Sequence, residues 1–251
     1  MLTQKRHALI LEKLEKDSIV YVNDLVKFLK TSESTIRRDL NELNKLGLLK
    51  KVHGGAILVN GSLINTKDYE VEIRKGIKRE EKIRIAKYAA NLIESEDFVY
   101  IDSGTTTELM IEFINCRNVV FVTNGISHGK KLMYRNFTTY ILGGEIKFKT
   151  EAIVGVEAIE SLKKYNFTKG FFGTNGIHNE KGFTTPDIKE GLVKKEALKR
   201  CKESYILGDQ TKFNEVSAIT FGEIGDSKII TTNILDNIYK DASEILEVDK
   251  Q

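Results

Sequence analysis

The sequence predicts an α/β protein built as a small helical head followed by a larger, mostly parallel α/β/α body. Three observations carry that prediction. Over residues 1–58, three short stretches with apolar residues at helical spacing lead into a glycine-turned hairpin. Beyond residue 80, short β-branched runs alternate with helical stretches, the pattern of a Rossmann-like parallel sheet covered on both faces. The two parts also differ electrically. Residues 1–55 hold 11 Lys and Arg against 7 Asp and Glu, whereas the rest of the chain holds 28 against 29. A basic head on a neutral body points to a polyanion at one end.

Composition removes several classes. At 251 residues, 41% hydrophobic and 30% charged, the chain reads as an ordinary globular one with room for one or two packed domains. No apolar run reaches the length of about 18 residues that a spanning helix needs. Charges at Lys5, Arg6, Glu12, Lys13, Glu15, Lys16 and Asp17 interrupt any signal-peptide core. Cys116 and Cys201 form no CxxC, and four scattered histidines offer no ligand spacing. The expectation is a cytoplasmic protein with no metal, no cofactor and no membrane partner.

In the head, Thr3 caps a first helix whose Leu9, Ile10, Leu11 and Leu14 share a face before Asp17-Ser18 ends it. Ile19 and Tyr21 follow, and Asn23 is expected to N-cap a second helix over 24–30 with Leu25, Phe28 and Leu29 inward. A turn at Thr31-Ser32 leads to a third helix over 33–46, with Ile36, Leu40, Leu43 and Leu46 as its stripe and Gly47 as its stop. Residues 48–58 read as a two-strand hairpin turning at Gly54-Gly55. Two short helices joined by a tight turn, then a basic hairpin, form a winged helix-turn-helix pattern. Ser34 and Thr35 are small enough to approach base edges. Arg37 and Arg38 follow the buried Ile36 on the solvent side, where each can grip a guanine edge or a phosphate. Lys50, Lys51 and His53 would track the DNA backbone. The conjunction of these features, rather than the arginine pair alone, points to DNA.

These residues carry a resemblance. Ser34-Thr35-Ile36-Arg37-Arg38-Asp39-Leu40, then Leu43, Gly47 and Val52-His53-Gly54-Gly55-Ala56, resemble the DeoR family of bacterial repressors. The resemblance runs the length of the chain and implies a winged helix-turn-helix followed by an α/β effector domain.

Residues 59–79 show no sustained period and read as a linker, leaving 1–58 for DNA and 80–251 for sensing. A helix starts near Glu80, with Ile83, Ile85, Ala86, Ala89, Ala90 and Ile93 apolar. Strand-like runs follow at 98–101, 119–122, 139–142, 170–172, 205–207, 218–220 and 228–230. Parallel sheets bind ligands at their strand carboxyl ends, and there the glycines and polar residues collect: Asp102-Ser103-Gly104-Thr105-Thr106-Thr107, Thr123-Asn124-Gly125, Gly143-Gly144-Glu145, Gly173-Thr174-Asn175-Gly176 and Gly208-Asp209-Gln210-Thr211-Lys212. Hydroxyls and amides at the start of a helix suit a phosphate, although Ser and Thr also cap helices in any protein. No GxGxxG or GxSxG motif is present, and residues 125–131 miss a P-loop by one spacer.

The body resembles the DeoR effector domain, itself similar to ribose-5-phosphate isomerase and glucosamine-6-phosphate deaminase. That resemblance places a phosphate loop at Ser103, Gly104, Thr105 and Thr106 and a phosphate-side lysine at Lys212. The implied effector site is Asp102, Ser103, Gly104, Thr105, Thr106, Thr123, Asn124, Gly143, Gly144, Asn175, Gly176 and Lys212. Where the isomerases keep a catalytic carboxylate, this chain has Asn175, and an amide cannot take the proton that aldose–ketose exchange requires. No catalytic residue is therefore assigned. Met1–His7, residues 32–38, 173–176 and Gly182-Phe183-Thr184-Thr185-Pro186-Asp187 look like the branch that represses fructose operons, which implies fructose 1-phosphate as effector. Pro186 would stiffen a loop over the pocket, and Asp187, Glu190 and Lys194 are further candidates for sugar hydroxyls. One winged helix covers little DNA, so a homo-oligomer, dimer or tetramer, is expected on the operator. The alternatives are a regulator answering another sugar phosphate and, further off, an isomerase-like enzyme.

Overall fold

A computed structural model describes residues 3–46, 48–57, 71–232, 239 and 242–248. They fall into two compact units, one running through Arg79 and the other from Glu80. The expected helix stop Gly47, and residues 58–70 of the hairpin end and linker, lie outside the described residues.

The head runs α1 (Thr3–Asp17), β1 (Ile19–Tyr21), α2 (Val22–Leu29), α3 (Glu33–Lys45), β2 (Lys50–Val52), β3 (Gly55–Ile57) and α4 (Val71–Gly76). Ile10 and Leu14 of α1, Leu25 and Leu29 of α2, and Ile36, Leu40 and Leu43 of α3 meet in one core. Three expectations are corrected. Asn23 does not cap α2: the helix begins at Val22, so Asn23 sits inside its first turn and Tyr21 precedes it without a side-chain cap. Phe28, expected inward, is exposed, with the Lys13 ammonium 5.6 Å from its ring centre. The hairpin turns at His53-Gly54, and its second strand β3 lies between β1 and β2 in a three-stranded sheet. Gly55 is demanded by that third strand, since a Cβ there would stand 2.1 Å from the Val20 carbonyl oxygen. Within the expected linker, Val71–Gly76 is helical and packs on α1, and Ile77 joins the head core. A six-residue helix is too short to show a period.

The body runs α5 (Arg79–Ala90), β4 (Phe98–Ile101), α6 (Thr105–Met110), β5 (Val120–Thr123), α7 (Ile126–Tyr134), β6 (Thr138–Ile141), β7 (Glu145–Lys147), β8 (Ala152–Val154), α8 (Val156–Leu162), β9 (Phe167–Gly173), β10 (Gly176–His178), β11 (Gly182–Thr185), α9 (Ile188–Lys199), β12 (Cys201–Leu207), β13 (Ile219–Gly222), β14 (Lys228–Thr231) and β15 (Ile245–Glu247). Among the described residues a seven-stranded sheet is ordered β15-β14-β12-β9-β4-β5-β6, with every neighbour parallel. Alternating residues fill two cores. Val99, Ile101, Phe121 and Phe171 pack under α5, α6 and α7, while Tyr100, Val122, Phe172 and Ile206 pack under α8 and α9. Burial on both faces is why these strands read as near-continuous apolar runs.

One expected strand belongs elsewhere. The run at 218–220 contributes to β13, which pairs antiparallel with β11 in a separate sheet ordered β10-β11-β13. A short apolar run shows that a strand is buried but not which partner it takes.

Candidate functional site

On the head, Ser32 N-caps α3 by accepting from the Thr35 amide at 3.3 Å, and its hydroxyl also meets the hydroxyls of Ser34 and Thr35. Ser34 is exposed and Thr35 half-buried. Arg37 and Arg38 both face solvent, Arg38 with 82% of its side chain exposed. Arg37 pairs with Glu33 at 2.6 Å and Arg38 with Glu42 at 3.6 Å, both one turn away. Exposed pairs of this kind are weak enough for a phosphate or base edge to replace. Lys50, Lys51 and His53 are exposed on the wing. Lys51 is tied to α3 twice, its backbone N–H donating to Asn44 and its ammonium to Asn41.

Between these exposed residues lies a buried one. Asp39 is 1% exposed and accepts from Arg6 Nε and Nη2 at 2.5 and 2.8 Å, with His7 Nε2 at 3.2 Å. The hydrogen bond from Arg6 to Asp39 raises the guanidinium's pKa despite its burial. Arg6 and Asp39 are 33 residues apart, and nothing local in the sequence marks them as partners.

In the body, the carboxyl ends of β4, β5, β9 and β12 bring most of the expected residues to one end of the sheet. Asp102 lies at their centre and is 1% exposed. One of its oxygens accepts from the Gly104 amide and Thr107 hydroxyl, both at 2.9 Å. The other accepts from the Gly173 amide at 3.0 Å and from the Lys194 ammonium. Lys194 also donates to the Gly173 carbonyl at 2.9 Å. Asp102 and Lys194, both expected at the sugar, are instead paired within the protein. Gly104 is held so close that a Cβ would meet Asp102 at 3.0 Å and Thr107 at 3.1 Å. Gly104 N-caps α6 without a side chain, so no capping group covers the amides of that first turn.

His128, one of the four scattered histidines, props this loop. Its Nε2 lies 3.0 Å from the Gly104 carbonyl and 3.2 Å from the Thr107 hydroxyl. A carbonyl can only accept, so the ring proton belongs on Nε2. Burial lowers the His128 pKa against the pull of Glu108 and Asp102, keeping the ring neutral.

Lys82, absent from the expected site, comes from α5 to donate to the Thr105 hydroxyl at 3.3 Å. Asp209 accepts from the Thr211 amide at the start of the short turn that carries Lys212. Burial opposes the Asp209 charge, but Lys212, Thr211 and Lys82 outweigh it and hold its pKa low. Thr123 and Asn124 are buried in the framework: Thr123 accepts from the Gly125 amide, and Asn124 accepts from the Tyr100 hydroxyl and donates to the Ile153 carbonyl. Asn175 is half-buried and accepts from Thr185 at 3.4 Å, while Gly176 starts β10. Gly143 and Gly144 form an exposed turn before β7. Asp187 N-caps α9 and pairs with Lys147, and Glu190 accepts from Thr150 and Lys147. Pro186 links β11 to that cap. Burial pushes the Cys201 thiol up to about 12, which leaves it unreactive.

A profile of the DeoR-like helix-turn-helix domain matches residues 6–61, and one of the DeoR C-terminal sensor domain matches residues 77–233. The chain belongs to the DeoR family. This DeoR-family protein is 43% identical over 234 residues to a Bacillus subtilis (strain 168) relative named an uncharacterized HTH-type transcriptional regulator, FruR, covering 93% of this chain and 92% of the relative. It is 33% identical over 239 residues to the lactose phosphotransferase system repressor of Staphylococcus aureus (strain NCTC 8325 / PS 47), covering 94% and 92%. Among solved structures, ribose 5-phosphate isomerase A from Methanocaldococcus jannaschii aligns over 54% of each chain, with a TM-score of 0.41 and 16% identity. The DeoR-family chain is thus a DNA-binding transcriptional repressor with a sugar-related role, its helix-turn-helix in the head and its sensor domain in the body. No helix among the described residues is long and apolar enough to cross a membrane.

Proposed function

We propose that this repressor silences a fructose-utilisation operon in the cytoplasm and leaves its operator when a phosphorylated sugar, foremost fructose 1-phosphate, enters the body. The supporting observation is the loop 103–106, an uncapped helix start with Thr105 and Thr106 hydroxyls, Lys82 at 3.3 Å from Thr105, and Lys212 in the turn that follows β12. Amides, hydroxyls and ammonium groups converging in this way suit a phosphate. Asp102, Thr107, Asn124, His128 and Lys194 hold the loop in shape, while Gly143, Gly144, Asn175 and Gly176 surround the sugar. On DNA, Ser34, Thr35, Arg37 and Arg38 read the groove, and Lys50, Lys51 and His53 follow the backbone. At least two copies bind together.

A thermal-shift titration comparing fructose 1-phosphate with fructose 6-phosphate, ribose 5-phosphate, tagatose 6-phosphate and free fructose tests the effector. A ligand that binds only the folded state adds about 2.7 kcal/mol at 100 times its dissociation constant. A selective shift with fructose 1-phosphate is expected. A shift with tagatose 6-phosphate alone would move the repressor to another operon, a second reading favoured by its similarity to the lactose-system repressor. Turnover of any of these sugars, abolished by pocket substitutions, would replace the sensor by an enzyme; Asn175 argues against that outcome.

A further inference from the structure

The sheet of the body has a second end. β5 and β6 run parallel, and the segments that lead into them lie at their amino ends, away from the effector loops at the carboxyl ends. There a groove of about 650 Å³, within the range of small-molecule sites, is lined by Asn115, Arg117, Asn118, Arg135, Asn136 and Thr138. No Asp or Glu lines it. Glu94 and Asp97, just before β4, are committed to Lys169, and Glu112 is committed to Lys131. Arg117 is exposed, and its guanidinium has no partner among the described residues. Arg135 is half-buried and spends Nη1 and Nη2 on the Ile111 and Ile114 carbonyls, both at 2.6 Å. Its charge therefore stays in the groove wall with no carboxylate against it. The side chains of Asn115, Asn118, Asn136 and Thr138 are exposed and make no hydrogen bond among the described residues. Left-handed backbone at Asn118 and Asn136 (φ 59° and 62°) explains an asparagine at each turn, but not the arginines or Asn115 beside them.

We propose that this groove binds a small phosphomonoester at a site separate from the effector pocket. Arg117 supplies the planar fork that matches two phosphate oxygens, and all its donors are free to do so. Arg135 contributes its charge, while the amides and the Thr138 hydroxyl serve the remaining oxygens and the hydroxyls of the ligand. Two guanidinium groups without an acid favour a dianion over a monocarboxylate, and a phosphomonoester carries nearly two charges at pH 7. The volume suits a ligand of metabolite size rather than a polymer. The site stands on this end of the sheet alone and does not depend on which sugar the pocket takes.

Cys116 also lines the groove and is half-buried, which makes its thiol a local reporter. Cys201, its thiol pushed up by burial to about 12, does not compete. The full chain is alkylated with neutral iodoacetamide and the rate at Cys116 is followed by mass spectrometry. Inorganic phosphate or glycerol 3-phosphate at about ten times its dissociation constant should slow that rate about tenfold, because only the empty groove reacts. Chloride and acetate at the same ionic strength should leave it unchanged. Arg117→Gln removes no protein contact and should raise the phosphate needed by at least about tenfold. Lys212→Gln, in the effector site, should keep the protection, so failure of the groove and failure of the pocket reading are told apart. Equal slowing by chloride or acetate, protection that survives Arg117→Gln, or no protection at all overturns the site. Protection lost in Lys212→Gln assigns the signal to the effector pocket and overturns it too. Slowing by a duplex DNA of unrelated sequence, with none by free phosphate, would make this face a nucleic-acid contact and overturn the small ligand.

Discussion

The outer face of α3 and the loops at the strand ends of the body treat their charges in opposite ways. Arg37 and Arg38 are exposed and rest on Glu33 and Glu42, pairs that solvent screens and that a phosphate can displace. Lys194 and Asp102 are buried, each with the other as counter-ion, and three further protein groups complete the Asp102 coordination. A DNA-reading surface needs cations free to change partner. A pocket for a small anion needs its backbone already in place, so that binding does not bear the cost of ordering a loop. The same side-chain chemistry serves both ends of the chain, and burial decides which role it plays.

The sharpest way to break this contrast is to remove one half of a buried pair. Asp102→Ala leaves Lys194 charged and unpaired, and chemical denaturation should show a loss of about 3–5 kcal/mol in the body. A loss under 1 kcal/mol would mean that Lys194 finds another partner or water there. Asp39→Ala strands Arg6 in the same way. Its loss should be somewhat smaller, about 2–4 kcal/mol, because Arg6 keeps the Thr3 hydroxyl as an acceptor. Operator affinity should fall with it in gel-shift titrations.

Arg38→Ala is the complementary test. Stability should change by no more than about 0.5 kcal/mol, because only an exposed pair is lost. Operator affinity should drop by about 1–3 kcal/mol with effector binding untouched. Unchanged DNA affinity would remove Arg38 from the reading face.

His128 gives the smallest effect and the one with a pH signature. Its folded pKa is depressed by burial, so the unfolded chain takes up the proton first as pH falls. The stability it contributes is fully present above about pH 6.5, the unfolded value, and is lost as pH drops below that toward the folded pKa. His128→Gln should flatten that part of the pH–stability curve relative to the parent. Parallel curves would show that His128 does not titrate with folding.

Much of the fold was legible because it rests on local signals. The stripe Ile36, Leu40, Leu43 places α3, and the runs around Tyr100, Val122, Phe172, Ile206 and Ile229 place five strands of the sheet. The loop 103–106 was legible as a glycine and hydroxyls at a strand end. What sequence reading missed depends on distance along the chain. Asp102 meets Lys194 across 92 residues and Thr105 meets Lys82 across 23, and neither spacing carries a period. Asn23 failed for a different reason. It has the intrinsic preference of an N-cap, but β1 pairs with β3 through Tyr21, and the helix begins directly after that pairing. The α4 helix and the β13 partner were hidden because short segments take their structure from what they pack on.

The buried Asp39 has a consequence for how such regulators diversify. It anchors α3 to α1 from within α3 itself, which sets that helix's roll about its own axis. Ser34, Arg37 and Arg38 then project from a support whose orientation does not depend on them. On the proposed reading, exchanging those three residues changes the operator and leaves the head's packing alone, while losing the Arg6–Asp39 contact loosens the support beneath all three. Specificity in this architecture is a replaceable face on a fixed mount.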